Sequence, residues 1–160
     1  MAIYIEYEGI NGDVTADGYK NHIMISSLAF GVARAISMNV GNLGNREPTR
    51  PSLSRITLKK IVDSSVTGFF KESVSGSRGK KVVIKFVRTG VGQVTEFMRY
   101  NVENCLVSGY TIKANEENIP EEVITLSFSK IIVSYIDHDD TNKYGNRYIS
   151  GYDLVAARPV

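Results

Sequence analysis

The residues of this chain that are of types able to do chemistry fall into a few short groupings. Ser75-Gly76-Ser77-Arg78-Gly79-Lys80 has the glycines and the lysine of a phosphate-binding loop. The pattern fails at both ends, because Val74 stands where the first glycine belongs and Lys81 where a serine or threonine would meet magnesium. The segment also follows a helical pattern instead of opening one, so it reads as a turn. Asp137-His138-Asp139-Asp140 offers oxygen and imidazole ligands, but four consecutive residues do not close a coordination shell and no second cluster completes it. Cys105 with His22 or His138 has the types of a nucleophile and its base, yet nothing around Cys105 resembles a nucleophile elbow or a cysteine-protease context. The pairs Glu116-Glu117 and Glu121-Glu122 lie in or beside a polar connection around Pro120. They read as residues that keep that loop solvated, since acid–base work needs two carboxyls held in different environments. No catalytic, metal or cofactor site is expected, and function is sought in the surfaces.

The elements that carry these residues are mostly strands. The clearest alternating runs are Val82-Val83-Ile84-Lys85-Phe86-Val87-Arg88 and Val123-Ile124-Thr125-Leu126-Ser127-Phe128. Ile3, Ile5 and Tyr7 share one strand face, with Tyr4 and Glu6 opposite. In the region from Ile23 to Phe30, Ile23 and Ile25 have one parity and Leu28 and Phe30 the other. A bulge or kink near Ser26-Ser27 brings both pairs to one face and turns Ala29 to the opposite one. Ile56-Thr57-Leu58, Lys81 to Arg88, Thr95 to Val102, Leu106 to Ala114, a bent Val123 to Tyr135 and a terminal Arg147 to Val155 complete the strand regions.

One helix is expected over about residues 64–75. Asp63-Ser64-Ser65 supplies capping oxygens, Val66, Phe69, Phe70 and Val74 form an apolar face, and Gly76 stops the helix. A long extended loop, about residues 39–52, holds Asn42, Leu43, Gly44, Arg46, Glu47, Pro48, Arg50 and Pro51, residues that oppose both helix and sheet. Many short strands with one flanking helix define a mainly β, two-sheet barrel or sandwich, read as a single domain over 1–160. No internal repeat is visible.

Bulk properties narrow the function. The net charge of +2 is spread along the chain, with Lys59-Lys60 and Lys80-Lys81 as the only basic pairs, so no stripe for nucleic acid is expected. No apolar run approaches the roughly 20 residues of a membrane helix. The start, Met1 to Glu8, reads as a strand and not as a signal peptide. The lone Cys105 excludes an internal disulfide and sits in an apolar run, as a buried small hydrophobe does. Nine tyrosines and no tryptophan suit half-buried strands and interfaces alike.

In order and spacing these segments resemble the haemolysin-coregulated protein (Hcp) family, the tube-forming component of bacterial type VI secretion. Ile5 to Asp13 is similar to the family's first strand and glycine-containing turn. Ile23-Met24-Ile25 with Phe30-Gly31 is similar to its second strand, and Lys59 with Asp63-Ser64-Ser65 and Ser75-Gly76 to its helix. Val82, Ile84, Phe86, Arg88 and Gly90, then Leu106-Val107-Ser108, resemble its middle strands. Leu126-Ser127-Phe128, Val133-Ser134-Tyr135 and Gly151-Tyr152-Asp153-Leu154 resemble its late strands. The chain departs from the family in having Phe30 near a usual tryptophan, Tyr19 where histidine is common, and a loop richer in charge and proline than the family's glycine run.

The resemblance implies a non-enzymatic structural protein without cofactor. It would form homohexameric rings that stack into a secretion tube inside a contractile sheath, together with a spike and effector proteins. The expected location is the bacterial cytoplasm before firing, followed by export without a cleaved signal peptide, with no membrane insertion and no nucleic acid. Two site expectations accompany this: Ala29 faces the lumen, and the loop contacts a neighbouring subunit or ring through Asn42, Leu43, Arg46, Glu47 and Arg50. A phage-type tail-tube protein is physically the same device. A monomeric β-sandwich that binds carbohydrate or another ligand is the alternative from a different class, and it would need exposed aromatics over a concave face.

Overall fold

The structure, a computed structural model, describes residues 1–36, 38, 41, 49–90, 94–138 and 144–160. Strand β1 (Ala2–Tyr7) follows the alternation of its sequence, with Ile3, Ile5 and Tyr7 in the core and Glu6 outside. Strands β2 (Ile23–Ile25) and β3 (Ser27–Ala29) are one run interrupted at Ser26. There the Ser26 amide and hydroxyl both donate to the Lys59 carbonyl, each at 2.8 Å. The kink resolves the parity conflict: Ile23 and Ile25 are buried, Leu28 and Phe30 pack on the same core, and Ala29 is exposed.

The remaining elements are β4 (Val32–Ala33), β5 (Ser52–Leu53), β6 (Ile56–Ile61), α1 (Val66–Ser75), β7 (Lys80–Thr89), β8 (Val94–Lys113), β9 (Glu121–Ser127), β10 (Lys130–His138), β11 (Tyr144–Asp153) and β12 (Arg158–Pro159). The first sheet has the order β12-β11-β10-β8-β7-β1-β2. The second joins β3, β6, β9 and the far half of β8, all antiparallel. The sheets share β8, whose residues 94–105 pair with β7 and whose residues 106–113 pair with β9. Strands β9 and β10 lie end to end along β8 and step from one sheet to the other at Phe128-Ser129. The sequence predicts two strands where β8 is one. Its polar break at Glu103-Asn104 is a bend, made by Asn104 at φ 56° and a register shift opposite Lys80 and Val82.

Between the sheets lies a core of Ile5, Ile23, Ile56, Leu58, Val82, Ile84, Val102, Ile124 and Leu126 with Phe69 of α1. The segment after β1 folds back over the outer face of the first sheet. Val14 packs there with Tyr4 and Val87, and the Tyr19 ring stands 5.1 Å from that of Tyr4. This strap is held by backbone bonds from Gly12 to Asn21 and from Asn21 to Val14, each 2.9 Å.

Helix α1 starts later than its capping residues suggest. The Ser65 side chain caps nothing. Asp63 instead accepts the Ser65 amide at 2.9 Å. Only Phe69 is fully buried. Phe70 is 57% exposed with its ring against Tyr110, and Val74 is exposed beyond it. The apolar stripe is therefore wider than the sheet it covers.

Because Ile84 and Leu58 are fully enclosed from opposite sheets, truncating either leaves a cavity that neither sheet can collapse into. Ile84→Ala and Leu58→Ala should each cost about 2–5 kcal/mol in urea unfolding followed by circular dichroism, with an unchanged denaturant slope.

Candidate functional site

Strand parity carries two charged residues into the interior. Lys60 shares the parity of Ile56 and Leu58, and Glu122 that of Ile124 and Leu126. The register places Lys60 directly opposite Glu122, and both are wholly buried. The Lys60 Nζ donates to Glu122 Oε2 and lies 3.0 Å from Asp63 Oδ1, over the Phe69 ring at 5.9 Å from its centroid. Tyr110 donates its hydroxyl to Glu122 Oε1 at 2.6 Å. Burial, then the bond to Glu122, raises the phenol's pKa. This cluster ties β6, β8 and β9 to the root of α1. It corrects the expectation that Glu121-Glu122 serves only to keep a loop wet: Glu121 is partly accessible, while Glu122 is a buried ion-pair partner. A cation held between two carboxylates, without an open face, is suited to structure and not to catalysis.

The other candidate chemistry is dispersed. Cys105 is enclosed in the central core, and burial pushes its thiol up to about 12. His22 lies on the opposite face of the first sheet, edge-on to Tyr19, with Nε2 2.9 Å from Lys85 Nζ and Nδ1 3.2 Å from the Lys20 carbonyl. The lysine is a donor only, so Nε2 accepts and Nδ1 carries the proton. Cysteine and histidine are thus on different sides of a strand and form no nucleophile–base pair. Asp137 and His138 end β10, whereas Asp139 and Asp140 lie outside the described residues. Gly76 is the C-cap of α1, and the turn after it is fixed by Glu8. That carboxylate accepts the Lys81 amide and the Arg78 guanidinium, and the Lys81 bond foremost lowers its pKa.

What remains is surface. The solvent face of the second sheet carries a row of short side chains, with the exposed Lys59 in the row beside it. Ala29, Thr57, Thr125 and Gly109 lie in one row across β3, β6, β9 and β8, and Ser27, Lys59, Val123 and Thr111 in the next. Ser108, at the β8 bulge beside that row, donates its hydroxyl to the Thr125 carbonyl at 3.2 Å. Ala29 is exposed at the edge of this face, above a shallow hollow shared with Phe30, Arg55 and Thr57. The row follows from alternation and was legible in Thr57, Thr125 and Ala29, although only pairing reveals that they align.

The residues expected to form the assembly loop are Asn42, Leu43, Arg46, Glu47 and Arg50. The first four lie outside the described residues. Arg50 is exposed beside Thr49, whose amide and hydroxyl bond to the Ala35 carbonyl, each at 3.2 Å. Strands β4 and β5 pair beneath it, Val32 with Leu53 and Ala33 with Ser52. Gly31 and Ser54 close the base of this ribbon, the Ser54 amide donating to the Gly31 carbonyl and the Gly31 amide to the Ser54 hydroxyl, each at 2.9 Å.

Two antiparallel sheets that share a bent strand, with one flanking helix, make this a mainly β, two-sheet barrel. The family model described as the type VI secretion system effector Hcp matches residues 4–135, and the chain belongs to that family. Solved structures agree on the fold. A type six secretion system protein superposes with a TM-score of 0.91 at 20% identity, covering 99% of each chain. Hcp1 from Salmonella typhimurium gives 0.78 at 20% identity over 99% of this chain and 98% of that one. A type VI secretion system effector from Yersinia pestis gives 0.75 at 17% identity over 94% and 98%. No curated protein sequence matches the chain.

Two measurements probe this interior. Lys60→Met leaves Glu122 and Asp63 without their cation and should cost about 3–5 kcal/mol, whereas joining it to Glu122→Leu should recover much of that loss. At pH 8 a thiol with a pKa near 12 is ionised to only about one part in ten thousand, so Cys105 should resist iodoacetamide in the native protein and react fully in denaturant.

Proposed function

We propose that the chain is a non-enzymatic building block of a secretion tube: copies close into hexameric rings, the rings stack, and the tube carries effectors and is itself exported. The observation that carries this reading is the face Ala29–Thr57–Thr125–Gly109 on a member of the Hcp family. Its short side chains form a wet wall backed by an apolar core, which is what the bore of a tube requires. Ala29 faces that bore, where a small residue leaves room for cargo.

Ring closure explains the apolar side chains left on two flanks. Phe70, Val74 and Ile112 stand exposed along α1 and the end of β8, and Tyr148 and Ile149 along β11. A cyclic, heterologous contact buries two unlike patches once per subunit and covers strand edges that would otherwise template aggregation. The loop reaches a neighbouring subunit or ring through Asn42, Leu43, Arg46, Glu47 and Arg50. The spike, the contractile sheath and effector proteins are the other partners. No step of this work calls for nucleic acid, a cofactor or insertion into a membrane.

Size-exclusion chromatography with light scattering should give about six times the 17.7 kDa chain mass, and negative-stain images should show annuli. Deleting Asn42 to Arg50 should leave the melting temperature within a few degrees of the parent and sharply reduce stacked tubes. Ala29→Trp should leave ring mass unchanged and lower the cargo retained in the bore. A monodisperse monomer at every concentration would refute the reading.

A further inference from the structure

The solvent face of the second sheet carries unneutralised positive charge. Ile56, Leu58 and Lys60 turn inward from β6, so Arg55, Thr57 and Lys59 share the outward parity. Arg55 and Lys59 are exposed, and neither has an ion-pair or side-chain hydrogen-bond partner among the described residues. A strand rises about 3.3 Å per residue, which sets the two cations about 13 Å apart with Thr57 midway. Acid on this face is confined to one end. Glu121 lies one outward row beyond Lys59, between Ile61 and Lys113 in the register, and Glu116 and Glu117 precede it in the connection from β8. No acidic residue stands in the Thr57 row or the Lys59 row.

The neighbours of the two cations are small or hydroxylic. Thr57 pairs with Ala29 and Thr125, and Lys59 with Ser27 and Val123, with Thr111 beyond Val123. Arg55, Ala29, Thr57 and Thr125 rim one shallow hollow. Guanidinium, ammonium and hydroxyl groups all donate hydrogen bonds, and a carboxylate accepts from each. The short side chains between the cations leave a ligand free to approach both. Neither row contains an aromatic ring, the platform on which the bases of a single-stranded nucleic acid stack. The face therefore suits the carboxylates of a polypeptide better than a nucleic acid.

We propose that this face selects its cargo by charge: Arg55 and Lys59 receive the aspartate and glutamate side chains of an acidic polypeptide, with the Thr57 hydroxyl as a further donor between them. This rests on the ring-and-tube reading above and names the chemistry of the cargo that the bore retains. An exposed ion pair is weak by itself. Ring closure repeats the two cations around one bore, so a cargo that touches several walls engages several pairs together. Basic cargo meets repulsion on the same wall, which makes the selection two-sided. Screening sets the range of the attraction, so retention falls as salt rises.

Fluorescence anisotropy with labelled octaglutamate and octalysine peptides at low salt tests the selection, with ring mass read alongside by light scattering. Parent rings should bind octaglutamate in preference to octalysine. Lys59→Gln and Arg55→Gln should each weaken octaglutamate by roughly fivefold, the worth of about one exposed charge contact, with ring mass unchanged. The charge-reversed chain Arg55→Glu/Lys59→Glu should prefer octalysine. Lys20→Gln removes an equally exposed charge from the strap over the first sheet and should leave octaglutamate binding within about twofold of the parent. A Lys20→Gln loss as large as that of Lys59→Gln would mean that the peptide reads net charge and not this face, and would overturn the proposal. So would a thymidine octanucleotide that binds more tightly than octaglutamate, or neutralised variants that bind as the parent does. Parent rings that persist without taking up octaglutamate overturn charge selection and leave the tube reading standing. A parent protein that forms no rings removes the tube reading and this selection with it.

Discussion

The barrel depends on a charge it had to bury. Lys60 and Glu122 face each other from adjacent strands beside a core of predominantly aliphatic and aromatic side chains. Each ion alone would carry a desolvation penalty of several kcal/mol, so the site is tolerable only with its partners present together. Asp63 and Tyr110 complete the set, and through them the cluster fixes where α1 begins. The helix has poor intrinsic support: Gly68 is in its middle, no cap comes from Ser65, and only Phe69 is fully enclosed. Its place is determined by the ions beneath its root more than by its own sequence.

Much of the fold could be read from alternation. The conflict between Ile23–Ile25 and Leu28–Phe30 required a kink, and the kink is at Ser26. The face bearing Ala29 was deduced from that parity alone. The buried pair was missed because Lys59-Lys60 and Glu121-Glu122 look like solvated doublets. In a strand, adjacent charges point to opposite faces, so one of each doublet is outside and the other inside. Extending the parity of Ile56 and Leu58 by one step reaches Lys60, so the signal was present. What alternation could not supply was the pairing partner, which depends on register between segments 62 residues apart. Likewise, Glu103-Asn104 read as the end of a strand, since a sequence marks a break in pattern without saying whether the chain stops or bends.

Among the described residues the groups of chemical type serve the fold. Nucleophile, base and carboxylates are all present in the chain, and the fold separates them by strand face, by sheet or by burial. Cys105 serves as packing, His22 as an acceptor for Lys85 under the strap, and Glu8 as a clamp on the turn before β7. Polar groups that could do chemistry are spent on holding backbone.

Strand β8 belongs to both sheets, and its twenty residues span about 66 Å when extended. Over most of that span it is bonded on one flank or both to antiparallel neighbours. A longitudinal pull on either sheet therefore loads many hydrogen bonds simultaneously in shear, instead of peeling them one by one. Thrust applied to one layer of such a shell passes to the other through continuous main chain, without relying on side-chain friction between them. The two layers gain stiffness from that single shared strand.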